Sequence, residues 1–462
     1  MIALPKELIA SLTNIKGFNK EAFEQVHASG EQVTSIRLNP VKSRAPLPIN
    51  QSTGQLVHQS AIPWCPYGYY LSQRPSFTFD PLFHAGTYYV QEASSMFLWE
   101  VLAQAIGNNT AGVKVLDLCA APGGKSTLLA SYFNDGLVVA NEVIRSRAAV
   151  LAENITKWGS ANTVVTNNDP KDFVELKGYF DVMIVDAPCS GSGLFRRDED
   201  AIDEWSEENV VLCSQRQQRI LADVYSTLKN DGLLVYSTCS YSKAEDEDIL
   251  DWICATFSVE SLVLHVKEEW GIIEVESDIH KAKGYRFYPY KLKGEGFFIA
   301  AFRKRDGETQ DYRVQGLQKI SKEEAIAAES FIKSGEMIFC SQAEKIIALP
   351  ATYKTDVAIL QKHLYLRQAG ITVGALKGRD LVPEHALAMS TLVAENIPRI
   401  PLTKQQAIHY LQKKDIEPGN FDKGWALATY ENVNLGWMKI LHNRVNNYYP
   451  VEWRILKESI AG

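Results

Sequence analysis

Two cysteines, Cys189 in "DAPCSGSG" and Cys239 in "STCS", and the loop "LDLCAAPGGKST" at 116–127 carry the most specific chemistry in this chain of 462 residues. A thiolate is a potent nucleophile, and a thiol is made one by its surroundings. The loop ends Gly-Gly-Lys-Ser-Thr after an apolar run and so resembles a phosphate loop at first sight. A phosphate loop needs Gly, four residues, then Gly-Lys-Ser/Thr, because successive backbone N–H groups must wrap the phosphates. Here Cys119 stands where the first glycine should be, and Pro122 removes a donor. The small residues Ala120 and Ala121 and the pair Gly123 and Gly124, before Lys125, instead permit close approach of a ligand that brings no phosphates.

The elements that must hold these residues alternate strand and helix. "VKVLDL", "GLVVANE", "NTVVTN", "FDVMIVDAP" and "GLLVYSTCS" read as strands, and the stretches between them have apolar residues at helical spacing. Such alternation predicts a parallel sheet covered on both faces, with ligands at the carboxyl ends of its strands. Each end carries a polar or reactive residue: the loop 119–125 after the first, Glu142 after the second, Asp169 after the third, Asp186 and Cys189 after the fourth, Cys239 after the fifth. Glu142 lies about twenty residues past the glycines, where nucleotide-binding folds place an acid on ribose hydroxyls. Acids without a pyrophosphate partner suit a nucleoside that carries positive charge, and S-adenosylmethionine is one. "SKAE", Ser242 to Glu245, reads as a capping box that starts a helix just after Cys239, where a helix N-terminus favours a thiolate.

Together "LDLCAAPGGKST", "DAPCSGSG" and "STCS" resemble the motifs of the Sun/Nol family of RNA cytosine-5 methyltransferases, and the C-terminal region with its Trp/Tyr-rich end is similar to the bacterial RsmF branch. The motif resemblance covers about residues 90 to 305. It implies an α/β class I, Rossmann-like methyltransferase domain that binds S-adenosylmethionine through Cys119 to Lys125, Glu142, Asp169 and Asp186. It further implies Cys239 as the nucleophile and Cys189 as the second cysteine, which assists product release. The implied substrate is RNA, 16S ribosomal RNA or the small subunit. A transfer-RNA cytosine-5 methyltransferase and a non-catalytic RNA-binding assembly factor are the competing readings. A P-loop NTPase is disfavoured by Cys119.

The chain is 46% hydrophobic and 22% charged, an ordinary globular composition. It has no continuous apolar span and no signal-peptide pattern, so a cytoplasmic protein with no membrane partner is expected. Seven cysteines without a Cys-x-x-Cys pair predict neither a metal site nor a disulfide framework. The expected state is a monomer. A net charge of −7 gives no overall basic footprint, but 280–306 holds eight Lys/Arg against two acids, with aromatics interleaved. That stretch and the end domain are the candidates for holding RNA. The expected division is a cap at 1–100, the methyltransferase domain at 101–306, an intermediate domain at 320–390, and a β-rich, PUA-like RNA-binding domain at 400–462.

Overall fold

The computed structural model describes residues 4–43, 58–307, 310–313, 315–333, 335–417 and 421–458. Its centre is a sheet of five parallel strands: β1 (Lys114–Asp117), β2 (Leu137–Asn141), β3 (Thr163–Thr166), β4 (Phe180–Asp186) and β5 (Leu228–Thr238). They lie side by side in the order β3-β2-β1-β4-β5. Antiparallel strands β6 (Ile273–Glu276), β7 (Lys283–Phe287) and β8 (Phe297–Lys304) extend the sheet beyond β5, with β8 against β5. At the far edge β9 (Leu366–Ala369) runs antiparallel to β3.

The strands read as continuous apolar runs because both faces are buried. Alternate residues enter separate cores. Leu116, Val139, Met183, Val185 and Leu234 pack with Ile220, Leu221 and Ile249 on one face. Val115, Val138, Val182, Ile184 and Val235 pack with Leu128 and Leu129 on the other. The helices that supply these partners are α1 (Gly124–Tyr132), α3 (Glu207–Val224) and α4 (Glu247–Thr256). A further helix, α2 (Arg145–Trp158), lies between β2 and β3 and ends at Gly159, whose left-handed backbone (φ 82°) donates to the Ile155 carbonyl.

The N-terminal part carries helices at Lys6–Leu12 and Lys20–Ala28 and a four-stranded antiparallel sheet that includes Thr34–Leu38 and Tyr88–Val90. Buried Arg37 fastens it to α1: its guanidinium donates to Thr127 Oγ1 (2.6 Å) and Gln91 Oε1 (2.8 Å) and lies over the Trp158 ring. Residues 320–390 form a second four-stranded antiparallel sheet and also donate β9 to the central sheet. Cys340, Ile347, Leu360 and Leu366 join the main core, so this segment is packed into the central domain. The end region has a third small sheet, built on Gly424–Tyr430 and Val433–Ile440, with helix Lys404–Leu411. Fully buried Trp437 joins it to residues 320–390, packing in one core with Ile332 and Leu387 and donating from Nε1 to the Glu384 carbonyl (2.9 Å). Among the described residues no helix is long and apolar enough to cross a membrane.

Candidate active site

The carboxyl ends of β1, β4 and β5 open on a cavity of about 340 Å³. Of the residues singled out in the sequence, Cys119, Ala120, Ala121, Pro122, Gly124, Lys125, Asp186 and Cys239 line it. The Cys189 sulfur lies 3.0 Å from that of Cys239, and both thiols are free. Hydrogen bonding to Cys239 and burial push the Cys189 thiol well above its ordinary value, which keeps it protonated. A larger concavity of about 650 Å³, beside Arg313, Leu317 and Lys362, lies at no strand end and holds no nucleophile.

The two cysteines are held by a buried network. Glu245 accepts from the Ser190 amide (2.8 Å), Ser190 Oγ (2.5 Å), Ser240 Oγ (2.7 Å) and Gln217 Nε2 (3.2 Å). One carboxylate therefore ties the residue after Cys189 to the residue after Cys239. Burial pushes the Glu245 carboxyl up, and these hydrogen bonds oppose the shift. Gly193 closes the same joint. Its N–H donates to the Cys239 carbonyl (2.8 Å), and a Cβ there would stand 2.7 Å from that oxygen and 2.5 Å from the Gly296 carbonyl. Only glycine permits that approach.

Glu245 thus does not complete the expected capping box. Ser242 makes no capping hydrogen bond, a short 3₁₀ turn occupies Lys243–Glu245, and α4 begins only at Glu247. The carboxylate satisfies buried serines across the loop, and the Ser242 amide donates to Ser240 Oγ (3.0 Å) instead. Cys239 consequently does not sit on a helix N-terminus.

On the other side of the cavity, Asp186 receives Ser237 Oγ at 2.7 Å and the Lys125 ammonium at 2.8 Å. Burial works against the charge of Lys125, but Asp186, Asp117 and Cys239 together hold its pKa above the ordinary lysine value. Gly123, which itself does not line the cavity, turns the loop with a left-handed backbone (φ 115°) before α1. Asp117, under the loop, accepts from Ser126 Oγ, and burial pushes it up to about 7.

Glu142 and Asp169 do not line the cavity. Glu142 is buried, accepts from the Ile144 amide (2.9 Å) and lies 3.7 Å from Arg147, which also donates to the Ala121 carbonyl. Asp169 caps the 3₁₀ turn Pro170–Glu175 by accepting from the Lys171 amide, and Asp172 answers it. Sequence reasoning missed Asn141, whose amide donates to the Leu118 and Asn168 carbonyls and so locks three strand ends together. It also missed the cavity wall formed by Tyr89, Gln91, Glu92 and Ser95 from the N-terminal part and by Glu295 and Phe297 at β8. The polar pair Gln91-Glu92 between apolar neighbours was the available signal.

Part of the basic stretch is spent on the protein's own acids and carbonyls. Arg286 is buried against Glu247 and Asp246, Lys304 donates to the Tyr225 and Leu228 carbonyls, and Lys283 and Arg305 pair with acids. Lys281, Lys291 and Lys293 remain exposed. The stretch reads as basic because its acidic partners come from elsewhere in the chain.

A parallel sheet in this order, with antiparallel strands at one edge and a ligand cavity over β1 and β4, defines a class I methyltransferase fold. Residues 105–303 match the model of the family described as 16S rRNA methyltransferase RsmB/F. Residues 4–93 match the N-terminal domain of 16S rRNA methyltransferase RsmF, and 398–455 the methyltransferase RsmF PUA domain. A ribosomal RNA small subunit methyltransferase F from Aliivibrio fischeri (strain MJ11) is 30% identical over 437 residues, covering 90% of either chain. One from Vibrio vulnificus (strain YJ016) is 30% identical over 440 residues, again covering 90% of each. Among solved structures, a methyltransferase homologue from Pyrococcus horikoshii is 28% identical with a TM-score of 0.52, covering 65% of this chain and all of that one. NSun6 from the same organism, solved with SFG, shares the fold at 21% identity and a TM-score of 0.54, covering 66% and 99%. The chain belongs to the RsmF family of ribosomal RNA methyltransferases.

Proposed function

We propose that this protein transfers a methyl group from S-adenosylmethionine to carbon 5 of a cytosine in 16S ribosomal RNA, with Cys239 as nucleophile and Cys189 as its proton-handling partner. The observation that carries the assignment is the 3.0 Å approach of the two free thiols beside the loop 119–125.

The cavity suits the donor better than a nucleotide. Its lysine from the glycine-rich loop is already neutralised by Asp186, and Arg197 on the lining is offset by the carboxyl of Glu92. The loop therefore leaves no free ammonium for a pyrophosphate and does not oppose a cationic ligand. The loop from Cys119 to Lys125 would hold the donor. Glu142 retains lone pairs for ribose hydroxyls, and Asp169 has a second carboxylate oxygen beyond its cap. Bound there, S-adenosylmethionine supplies an electrophilic methyl group.

Carbon 5 of cytosine is a poor nucleophile until a thiolate adds to carbon 6. Lys125 places positive charge near Cys239, where the attacking thiolate must form. Cys189 is a protonated thiol in hydrogen-bond contact with the attacking sulfur. Its S–H can donate a hydrogen bond to the Cys239 thiolate once the Cys239 proton has passed to solvent. After methyl transfer, with its own proton given up to solvent, the Cys189 sulfur can take the carbon 5 proton while the Cys239 sulfur leaves carbon 6 as a thiolate. The base reaches such a cavity only out of its stack, so the target is locally unpaired RNA. The end domain offers Trp425, Tyr448 and Lys439 on one surface for the flanking strand.

The test is methylation of 16S ribosomal RNA by the purified protein with labelled donor, followed by bisulfite sequencing. Label at a protected cytosine, absent with Cys239→Ala, supports the reading. Label on another atom or on transfer RNA alone would refute it.

A further inference from the structure

Tyr89 and Val90, which line the cavity of Cys239, also line a second, smaller hollow of about 150 Å³. Phe83, Tyr88 and Trp158 supply its other rings, and Asn154 and Lys157 of α2 its polar side chains. No acid is among its lining residues, whereas Glu92 and Asp186 line the neighbouring cavity. The rings are held in place by the fold itself. Tyr88 donates to Asp80 (2.5 Å), and Trp158 donates from Nε1 to Ser131 Oγ (3.0 Å) with the Arg37 guanidinium over its ring. Gly86 lets this wall press against the end of α2, since a Cβ there would stand 2.0 Å from the Lys157 carbonyl. Two polar groups of the lining are left over. Among the described residues the Tyr89 hydroxyl makes no hydrogen bond, and Asn154, oriented by donating from Nδ2 to the Pro122 carbonyl (2.8 Å), keeps Oδ1 as an unused acceptor.

We propose that this hollow receives the base of the nucleotide next to the target cytosine, stacked against its rings. The proposal rests on Cys239 attacking a cytosine of RNA. Turning the target base out of its stack strips the neighbouring base of one stacking face. An aromatic wall restores that contact, and does so for any base, because every base has a π-face. The wall shared with the cavity of Cys239 puts the receiving site one step along the strand. The hollow has room for a ring system and not for a whole nucleotide, so ribose and phosphates stay outside it, and no lining carboxylate repels them. Asn154 Oδ1 can accept from a base N–H, which all four bases carry. The adenine of the donor is the competing occupant. The acids that suit its nucleoside, Glu142 and Asp169, follow β2 and β3, and neither lines the hollow.

The experiment uses the full-length protein and a 16S ribosomal RNA fragment in which the nucleotide on one or the other side of the methylated cytosine is made abasic. It measures kcat/KM for transfer of labelled methyl by wild type, Phe83→Ala and Asn154→Ala, and donor affinity by calorimetry. Removing the base on one side should lower the wild-type value about ten-fold or more. With Phe83→Ala the intact RNA should already show most of that loss, and the abasic RNA should add no more than about three-fold to it. Asn154→Ala should show a smaller loss of the same kind. An abasic penalty as large in both variants as in the wild type would overturn the proposal, as would a wild type indifferent to the base on both sides. A fall in donor affinity with Phe83→Ala would give the hollow to the donor's adenine and overturn it too.

Phe83 also packs against Phe77 and Tyr88, so a second measurement leaves the protein unaltered. With 2-aminopurine beside the cytosine, binding to the wild type should quench its fluorescence by stacking, and unquenched fluorescence on both sides would overturn the proposal. If the wild type puts label on no cytosine in any RNA, the reaction itself fails and takes this proposal with it, an outcome told apart from the others by the missing label.

Discussion

The ends of β4 and β5 and the ends of β2 and β3 put similar polar residues on the same edge of one sheet, yet they are used differently. After β4 and β5 the loops turn back on each other. Glu245 clamps Ser190 to Ser240, Gly193 meets the Cys239 carbonyl, and two thiols stand 3.0 Å apart with Cys239 on the cavity. After β2 and β3 the chain goes directly into a helix or a 3₁₀ turn, and Glu142 and Asp169 first satisfy the amides of that turn. A strand end fixes where a residue stands. What its side chain is free to do depends on whether its own backbone needs it.

The sharpest way to break this contrast is Cys239→Ala, which should lower methyl transfer on the order of 10³-fold or more and leave no covalent protein–RNA adduct. Denaturing electrophoresis with labelled donor reads both. Cys189→Ala should also stop turnover, but by stalling after transfer, so a slow-migrating band carrying methyl label accumulates. If the band comes from the Cys239 variant and not from the Cys189 variant, the two roles are exchanged.

Glu245→Ala tests the clamp without touching the sulfurs. It strands the Ser190 amide and removes the acceptor of two hydroxyls in a buried site, so urea unfolding should show a loss of about 2–4 kcal/mol. An effect within the ~0.5 kcal/mol expected of a surface change would mean that the network is not what sets the thiols together. On the quieter side of the sheet, Glu142→Ala should weaken donor binding in calorimetry by about 1–3 kcal/mol. Unchanged affinity would confine Glu142 to bracing the Ile144 amide and Arg147. The smallest effect belongs to Asp169→Ala, about 1 kcal/mol of stability from the lost cap, with donor affinity down a few-fold. If stability falls and affinity does not, Asp169 is a cap alone.

Much of the site was legible because parallel strands print a clear pattern. Apolar runs bounded by Gly-rich or Asp-Ala-Pro turns can hardly be anything else, and their carboxyl ends must share an edge. The reading failed where a residue's partner lies far along the chain. The Ser-x-x-Glu spacing at 242–245 suggested a cap, but Glu245 finds Ser190, 55 positions away. The charges of 280–306 read alike in the sequence, but Arg286 finds Glu247, 39 positions away, and is buried, while Lys281, Lys291 and Lys293 are exposed. Residues 320–390 looked like a unit of their own, yet β9 completes the edge of the central sheet. A truncation before 320 would therefore expose core residues such as Leu360 and Leu366 as well as remove any RNA contact.

Sequence alone determined the alternating α/β order, the phosphate-free character of the 119–125 loop, and the placing of Cys189 and Cys239 at neighbouring strand ends. These follow from local periodicity and from residue types whose backbone preferences act over a few positions. Tertiary structure alone decided that the two sulfurs touch, that Glu142 and Asp169 serve their own turns, and that Gln91, Glu92 and Ser95 wall the cavity. Those outcomes depend on which distant groups compete for each buried donor and acceptor, and only the folded chain brings the competitors together.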